Sequence, residues 1–307
     1  QRPGRLRISL TTPPEKATMN KVYACMDVRA NTPAVIDAAA WSARRLSLPL
    51  VLAHVVEPQV SLSLVTDANG AIGLGAPDVL LQQLSELDAQ RSQIAQEAGR
   101  RMVSAAQAHA TAAGVPQVDS VVRHDDLSEA ALAWQDDARL FVLGQNRQPA
   151  TRGRRHLDHH LDHHIERLVR SVSRTVLVVP TETFTAPDQI VVAYDGSPTA
   201  QRVVERLAAS PILTGLPVTL LMVGTDTPDH RATLLTARQK LEADGRHVET
   251  LLSPGEPEAE ILALLGQRPH SLLAMGAYGH SRIREFIVGS TTTTLLRLSP
   301  VPVMVLR

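Results

Sequence analysis

Ile190-Val-Val-Ala-Tyr-Asp195 and Val22-Tyr-Ala-Cys-Met-Asp27 share one pattern: five largely apolar residues and then an aspartate. A run that is apolar at every position, rather than at every second one, is buried on both faces, as in a parallel sheet covered by helices. An Ala-rich helical segment follows each aspartate, over Pro33 to Leu46 and over Thr199 to Ala209. A second apolar run comes next, Leu50 to Val56 in one case and Val218 to Val223 in the other. The correspondence lasts to the ends, where Leu168 to Val179 lines up with Leu295 to Leu306. The chain is therefore read as two copies of one unit. Matched positions lie 168 residues apart at Asp27 and Asp195 but 127 apart at Val176 and Val303, so the first copy is the longer. Its extra length falls mostly between Glu57 and a long helix near Ser85 to Ala113.

In the second copy the alternation continues through a helix over Arg231 to Ala243, a strand at His247 to Leu252 and a helix over Glu256 to Leu265. A strand from Ser271 to Met275, a glycine-marked loop, a helix and a last strand complete it. The fold class is α/β, with five parallel strands per copy and helices on both faces. Right-handed crossovers then open a crevice at the carboxyl ends of strands one and four, beside Asp195 and Gly276. The boundaries expected are residues 19–180 for the first unit, 181–188 for a polar linker rich in Thr and Pro, and 189–307 for the second. Residues 1–18 carry Arg2, Arg5, Arg7 and Lys16 among prolines and threonines but no apolar centre, and are read as a tag remnant or a disordered upstream extension.

Composition narrows the function. The 307 residues hold 31 Lys+Arg against 31 Asp+Glu, so no long-range field gathers nucleic acid or an anionic membrane. The single cysteine, Cys25, allows no internal disulfide, which fits a cytoplasmic protein. The longest apolar runs are far short of the roughly 20 residues that span a bilayer.

The chemistry-bearing motif is Gly276-Ala-Tyr-Gly279, nine residues, then Gly289-Ser290. Two glycines three apart after a strand let the backbone approach a ligand that a Cβ would exclude. Gly289-Ser290-Thr291-Thr292 then opens a helix, whose unpaired N–H groups and positive dipole end favour a phosphate. Asp195 can accept hydrogen bonds from ribose hydroxyls or an adenine amino group. Glycines serving only turns, and a Ser290 serving only as a cap, are the plainer alternative; the combination of spacing, preceding strand and Gly-Ser helix start favours a nucleotide site without a Walker lysine.

At these residues the sequence resembles the universal stress protein family in its tandem two-domain form. The resemblance runs from Met19 to Arg307 and matches the family's ATP-binding motif without a gap. It implies a Rossmann-like fold of the wider nucleotide-binding class, with ATP, accompanied by Mg²⁺, at the carboxyl ends of the strands of the second copy. Ala193, Tyr194 and Asp195 would border the adenosine and Val223 would pack on the adenine. Gly276, Gly279 and His280 would follow the ribose and phosphates, and Gly289, Ser290 and Thr291 would hold the phosphate tail, with Arg282 a further phosphate candidate or a solvated loop arginine. Family members pair their last strands across a dimer; here the two copies could do so within one chain, as an intrachain pseudo-dimer, or two chains could assemble as a homodimer.

The first copy departs from the motif. Gly144 is followed by Gln145-Asn-Arg-Gln-Pro149, and Asp162-His163 stand where the second copy has Gly289-Ser290. An aspartate there would repel phosphate. The expectation is one nucleotide-binding half and one scaffold or regulatory half. No general base is evident beside the phosphates, so slow ATP hydrolysis and plain switching in a stress response, with an unidentified protein partner, both stay open.

The first copy also carries His156-Leu-Asp-His-His160-Leu-Asp-His-His164. On a helix, His156, His160, His163 and His164 would share a face and could take Zn²⁺ with Asp158 or Asp162; a polar loop is the alternative, and a metal-handling protein independent of nucleotide is the second functional reading. Cys25 and His54 read as core residues, Asp126 or Ser128 as a helix cap, and the Gly-rich stretch from Asp67 to Pro77 as a surface loop.

Overall fold

The computed structural model describes residues 21–26, 32–56, 76–145, 163–243, 245–276 and 290–307. The first half contains β1 (Lys21–Met26), α1 (Thr32–Leu46), β2 (Leu50–Val56), α2 (Ala76–Ala112), β3 (Val118–His124), α3 (Leu127–Trp134), β4 (Ala138–Gly144), α4 (His163–Ser171) and β5 (Thr175–Val179). The second repeats this order with β6 (Gln189–Ala193), α5 (Pro198–Ala208), a 3₁₀ turn (Pro211–Leu213), β7 (Val218–Val223), α6 (Pro228–Glu242), β8 (Val248–Ser253), α7 (Pro257–Gln267), β9 (Ser271–Gly276), α8 (Ser290–Leu298) and β10 (Val303–Leu306).

Several helices begin earlier than the apolar periodicity suggested. Prolines at 198 and 228 occupy the first turns of α5 and α6, where a missing N–H costs nothing. The hydroxyls of Ser197 and Thr227 cap these turns, accepting from Ala200 N and His230 N at 3.2 Å each. Helix α2 starts at Ala76 rather than near Ser85, so Ala76 and Pro77 of the glycine-rich stretch are helical. Asp126 caps α3, its carboxylate accepting from Ser128 N at 2.8 Å.

All strands join one ten-stranded sheet in the order β3-β2-β1-β4-β5-β10-β9-β6-β7-β8. Each half is parallel, and the halves meet where β10 runs antiparallel to β5, with Met304 opposite Leu177. The two apolar final strands thus cover each other's edges within the chain. Alternate strand residues feed two cores. One buries Val22, Leu52, Ile190 and Leu220 under α1, α2, α5 and α6; the other buries Phe141, Val178, Leu273 and Val305 under α3, α4, α7 and α8. The seam between halves is tied by Arg45 of α1, whose guanidinium donates to the carbonyls of Ile212, at 2.5 Å, and Thr214. Trp41 of α1 packs against Phe184 of the connecting segment, ring centroids 5.9 Å apart.

Candidate functional site

In the second half the chain leaves β6 toward β7 and β8, then crosses back to place β9 on the other side of β6. The carboxyl ends of β6 and β9 are therefore the point where the strand order reverses, the usual crevice of an open α/β sheet. Of the residues expected from the sequence, those described lie at or just past the ends of β6, β7 and β9 and at the start of α8. Ala193 ends β6 and is followed by Tyr194 and exposed Asp195; half-buried Val223 ends the neighbouring β7, and Gly276 ends β9. Exposed Ser290 and half-buried Thr291 open α8. Gly279, His280, Arg282 and Gly289 lie outside the described residues.

The turn after β6 is built tightly. The Tyr194 amide donates to Leu221 O at 2.9 Å, and the Asp195 carboxylate accepts from Ser197 N at 2.9 Å. Gly196 has φ of 73°, a left-handed conformation that a side chain adopts only at a cost. The Tyr194 ring is buried toward α5 and α6, where it lines a pocket of about 180 Å³ with Gln201, Val204 and Thr233. Burial first, and the neighbouring Asp195 charge second, raise its phenol above the ordinary range.

Glycine at 276 has a measurable reason. A Cβ there would lie 2.7 Å from Thr199 Cγ2, so the end of β9 and the first turn of α5 approach more closely than any side chain allows. At the other wall, Thr291 donates to Glu258 of α7 at 2.6 Å. Glu258 was not anticipated from the sequence, because the pair joins two helices 33 residues apart. The arrangement offers an aspartate on one strand end, a glycine-lined wall on the next and a helix N-terminus carrying two hydroxyls: polar groups suited to a sugar and phosphates.

In the first half, Asp27 and residues 146–162, including His156, His160 and Asp162, lie outside the described residues. His163 opens α4 as Ser290 opens α8, and His164 is half-buried beside it. Among the described residues no group of three His, Cys, Asp or Glu is placed to hold a metal ion. Gln145, just past β4, is buried; its amide donates to Val179 O, and its side chain to Arg297 O of α8 across the seam, both at 2.8 Å. His54 is buried in β2 with Nδ1 3.3 Å from Met26 O, and Cys25 is buried in β1.

Residues 187–307 match the model of the universal stress protein family. The universal stress protein Slr1230 of Synechocystis sp. (strain ATCC 27184 / PCC 6803 / Kazusa) is 29% identical over 272 residues, 88% of this chain and 93% of that protein. The second half of the chain, residues 187–307, is a universal stress protein domain, and the chain as a whole is similar to a member of that family. A shorter relative, universal stress protein YxiE of Bacillus subtilis (strain 168), is 34% identical over 74 residues, 24% of this chain and 50% of that protein. A universal stress protein from Archaeoglobus fulgidus DSM 4304 shares the fold across the chain, with a TM-score of 0.63 at 18% identity, covering 94% of this chain and 97% of that one. Both halves of the chain therefore fall within a fold seen whole elsewhere. Among its described residues, no helix is long and apolar enough to cross a membrane.

Proposed function

We propose that this chain binds ATP in the crevice of its second half and acts in a stress response as a nucleotide-dependent switch. The observation that carries this reading is the convergence of Asp195, Gly276 and the Ser290-Thr291 helix start on the point of strand reversal, with Gly276 held against Thr199 so closely that no Cβ fits. In this reading Asp195 accepts from the ribose hydroxyls, and Ala193, Tyr194 and Val223 border the nucleoside. Gly276, Gly279, His280 and Arg282 follow the phosphates, which end on Gly289, Ser290 and Thr291. The Thr291-bound Glu258 carboxylate would repel a polyphosphate at short range, so Mg²⁺ between them fits the charge balance. Any hydrolysis is slow.

The first half is the partner that does not take nucleotide in this way. Gln145 is committed to the α8 carbonyl of the second half, and Asp162 precedes the helix start where a phosphate would sit. The test is mass spectrometry of nucleotide released from the purified chain, alongside Gly289→Asp, which writes the first-half residue into the second. About one equivalent of adenine nucleotide, lost in the variant, is the expected result. No released nucleotide, together with no binding of added ATP and Mg²⁺, overturns the reading.

A further inference from the structure

Helices α5 and α6 pack against each other and leave between them the pocket of about 180 Å³ that Tyr194 lines. A cavity of roughly 150 Å³ is enough to hold benzene. The floor is apolar and buried, from Val204 of α5 and Ala237 of α6. The rim is polar, from half-buried Thr233 and from exposed Gln201, Thr236 and Lys240. Asp195, Val223, Gly276 and Ser290 of the nucleotide crevice take no part in this lining.

Tyr194 is the anomaly. The residue is only 5% exposed, yet its hydroxyl makes no hydrogen bond to any described residue. The oxygen is not among the unpartnered side-chain atoms sealed from solvent, so it faces the pocket rather than the core. Burial, and then the Asp195 charge, keep the phenol protonated, so it meets the pocket as a donor. Leaving such a donor without an acceptor is costly, and an acceptor that enters the pocket removes that cost. The rim groups are partly committed. The Gln201 amide nitrogen donates to Gly196 O at 3.0 Å, which leaves its oxygen to accept. The Thr236 hydroxyl donates to Ala232 O at 2.9 Å. Lys240, the one charge of the lining, is paired with Glu205 at 3.0 Å, so the pocket presents no net charge.

We infer that the pocket between α5 and α6 binds a small neutral aromatic amide, of the size of benzamide. Its ring lies on Val204 and Ala237, its carbonyl oxygen accepts from the Tyr194 hydroxyl, and its N–H donates to Gln201 Oε1. The Lys240–Glu205 pair sets the preference for a neutral ligand, since a carboxylate would meet no cation without a partner there. The inference does not rest on ATP binding. Tyr194 is the one residue that the two sites share.

The experiment titrates the full chain with benzamide, benzene and benzoate, following the NMR signal of the Ala237 methyl, which the current of a bound aromatic ring displaces. Benzamide is expected to shift the methyl saturably. Benzene, without the acceptor, is expected to bind about tenfold more weakly, the loss of one hydrogen bond to a buried donor. Benzoate should bind no more tightly than benzamide. Tyr194→Phe keeps the ring and removes the hydroxyl, so it should weaken benzamide about tenfold and leave benzene unchanged. Thr236→Trp, at an exposed position on the rim, should obstruct the pocket and abolish binding of both ligands while the ligand-free chain unfolds at the native temperature. Absence of a saturable benzamide shift, equal binding of benzene, tighter binding of benzoate, or unchanged affinity in both variants overturns the inference. The titration is repeated with ATP and Mg²⁺ present, where the benzamide shift should persist; its loss would make the pocket part of the nucleotide crevice and overturn it as a second site.

Discussion

The α-carbon of Gly276 faces the Thr199 methyl so closely that a β-carbon would stand 2.7 Å from it. The last residue of β9 and the first turn of α5 are thereby locked together at the mouth of the crevice. Gly276→Ala should destabilise the chain by about 1–3 kcal/mol, the usual cost of overpacking, and should weaken ATP at the proposed site. Adding Thr199→Ser removes the obstructing methyl, leaving Val203 Cγ2 at a tolerable 3.4 Å. Urea denaturation of the single and double variants decides the point; a double variant no more stable than the single one would show that the clash is not the cause.

Gly196 gives a contrasting case. A Cβ there would meet Thr233 Cγ2 at 2.9 Å, but its φ of 73° adds a backbone cost that no neighbour can relieve. Gly196→Ala should therefore lose about 1–3 kcal/mol, and Thr233→Ser should recover only part of it, leaving about 1 kcal/mol of left-handed strain. Complete recovery in the double variant, by the same denaturation measurement, would remove the backbone term from the account.

Arg246 is a buried cation used as a fastener. Its guanidinium donates to Leu213 O at 2.6 Å and Leu207 O at 2.9 Å, carbonyls at the 3₁₀ turn and the end of α5 that otherwise accept long backbone bonds of 3.3 Å from Leu216 N and Ser210 N. Arg246→Ala should cost about 3 kcal/mol in thermal or chemical unfolding, and Arg246→Lys should not restore it, because one ammonium cannot reproduce the planar fork that reaches both carbonyls. Full rescue by lysine would show that charge alone suffices.

What was legible in the sequence was periodic or local. Ile190 to Tyr194 and Val22 to Met26 announced buried parallel strands because every position is apolar, and Asp126 announced a cap because its partners are two and three residues away. The starts of α5 and α6 were legible too, in Pro198 and Pro228, but apolar spacing places helices later than their proline-containing first turns. The β5–β10 pairing was only half legible: two apolar edges needed cover, and nothing in Leu177 or Met304 says which edge meets which. The Thr291–Glu258 contact and the carbonyls under Arg246 depend on how distant elements pack, and neither leaves a pattern along the chain.

Cys25 supplies a prediction whose sign can be worked out. Burial in β1 pushes its thiol from 9.0 up to about 12, because the thiolate would lose its hydration. A raised folded pKa favours the protonated form of the native state, so the associated stability is fully present below pH 9 and is lost as pH rises toward 12, at about 1.4 kcal/mol per pH unit and about 4 kcal/mol in all. The Tyr23 phenol, raised mainly by burial and then by its hydrogen bond to Asp137, adds a loss of the same sign at still higher pH. Cys25→Ala separates the two, since it removes the thiol and leaves Tyr23 in place. The variant should be less stable at neutral pH, from lost packing, yet should fall less steeply between pH 9 and 11 in urea titrations. The slope carries the result and the offset does not. In parallel, iodoacetamide at pH 8 should leave the native thiol unmodified and alkylate it once the chain is unfolded. Equal slopes for the two proteins, or rapid alkylation of the folded chain, would mean that the first strand opens to water far more readily than a buried core strand should.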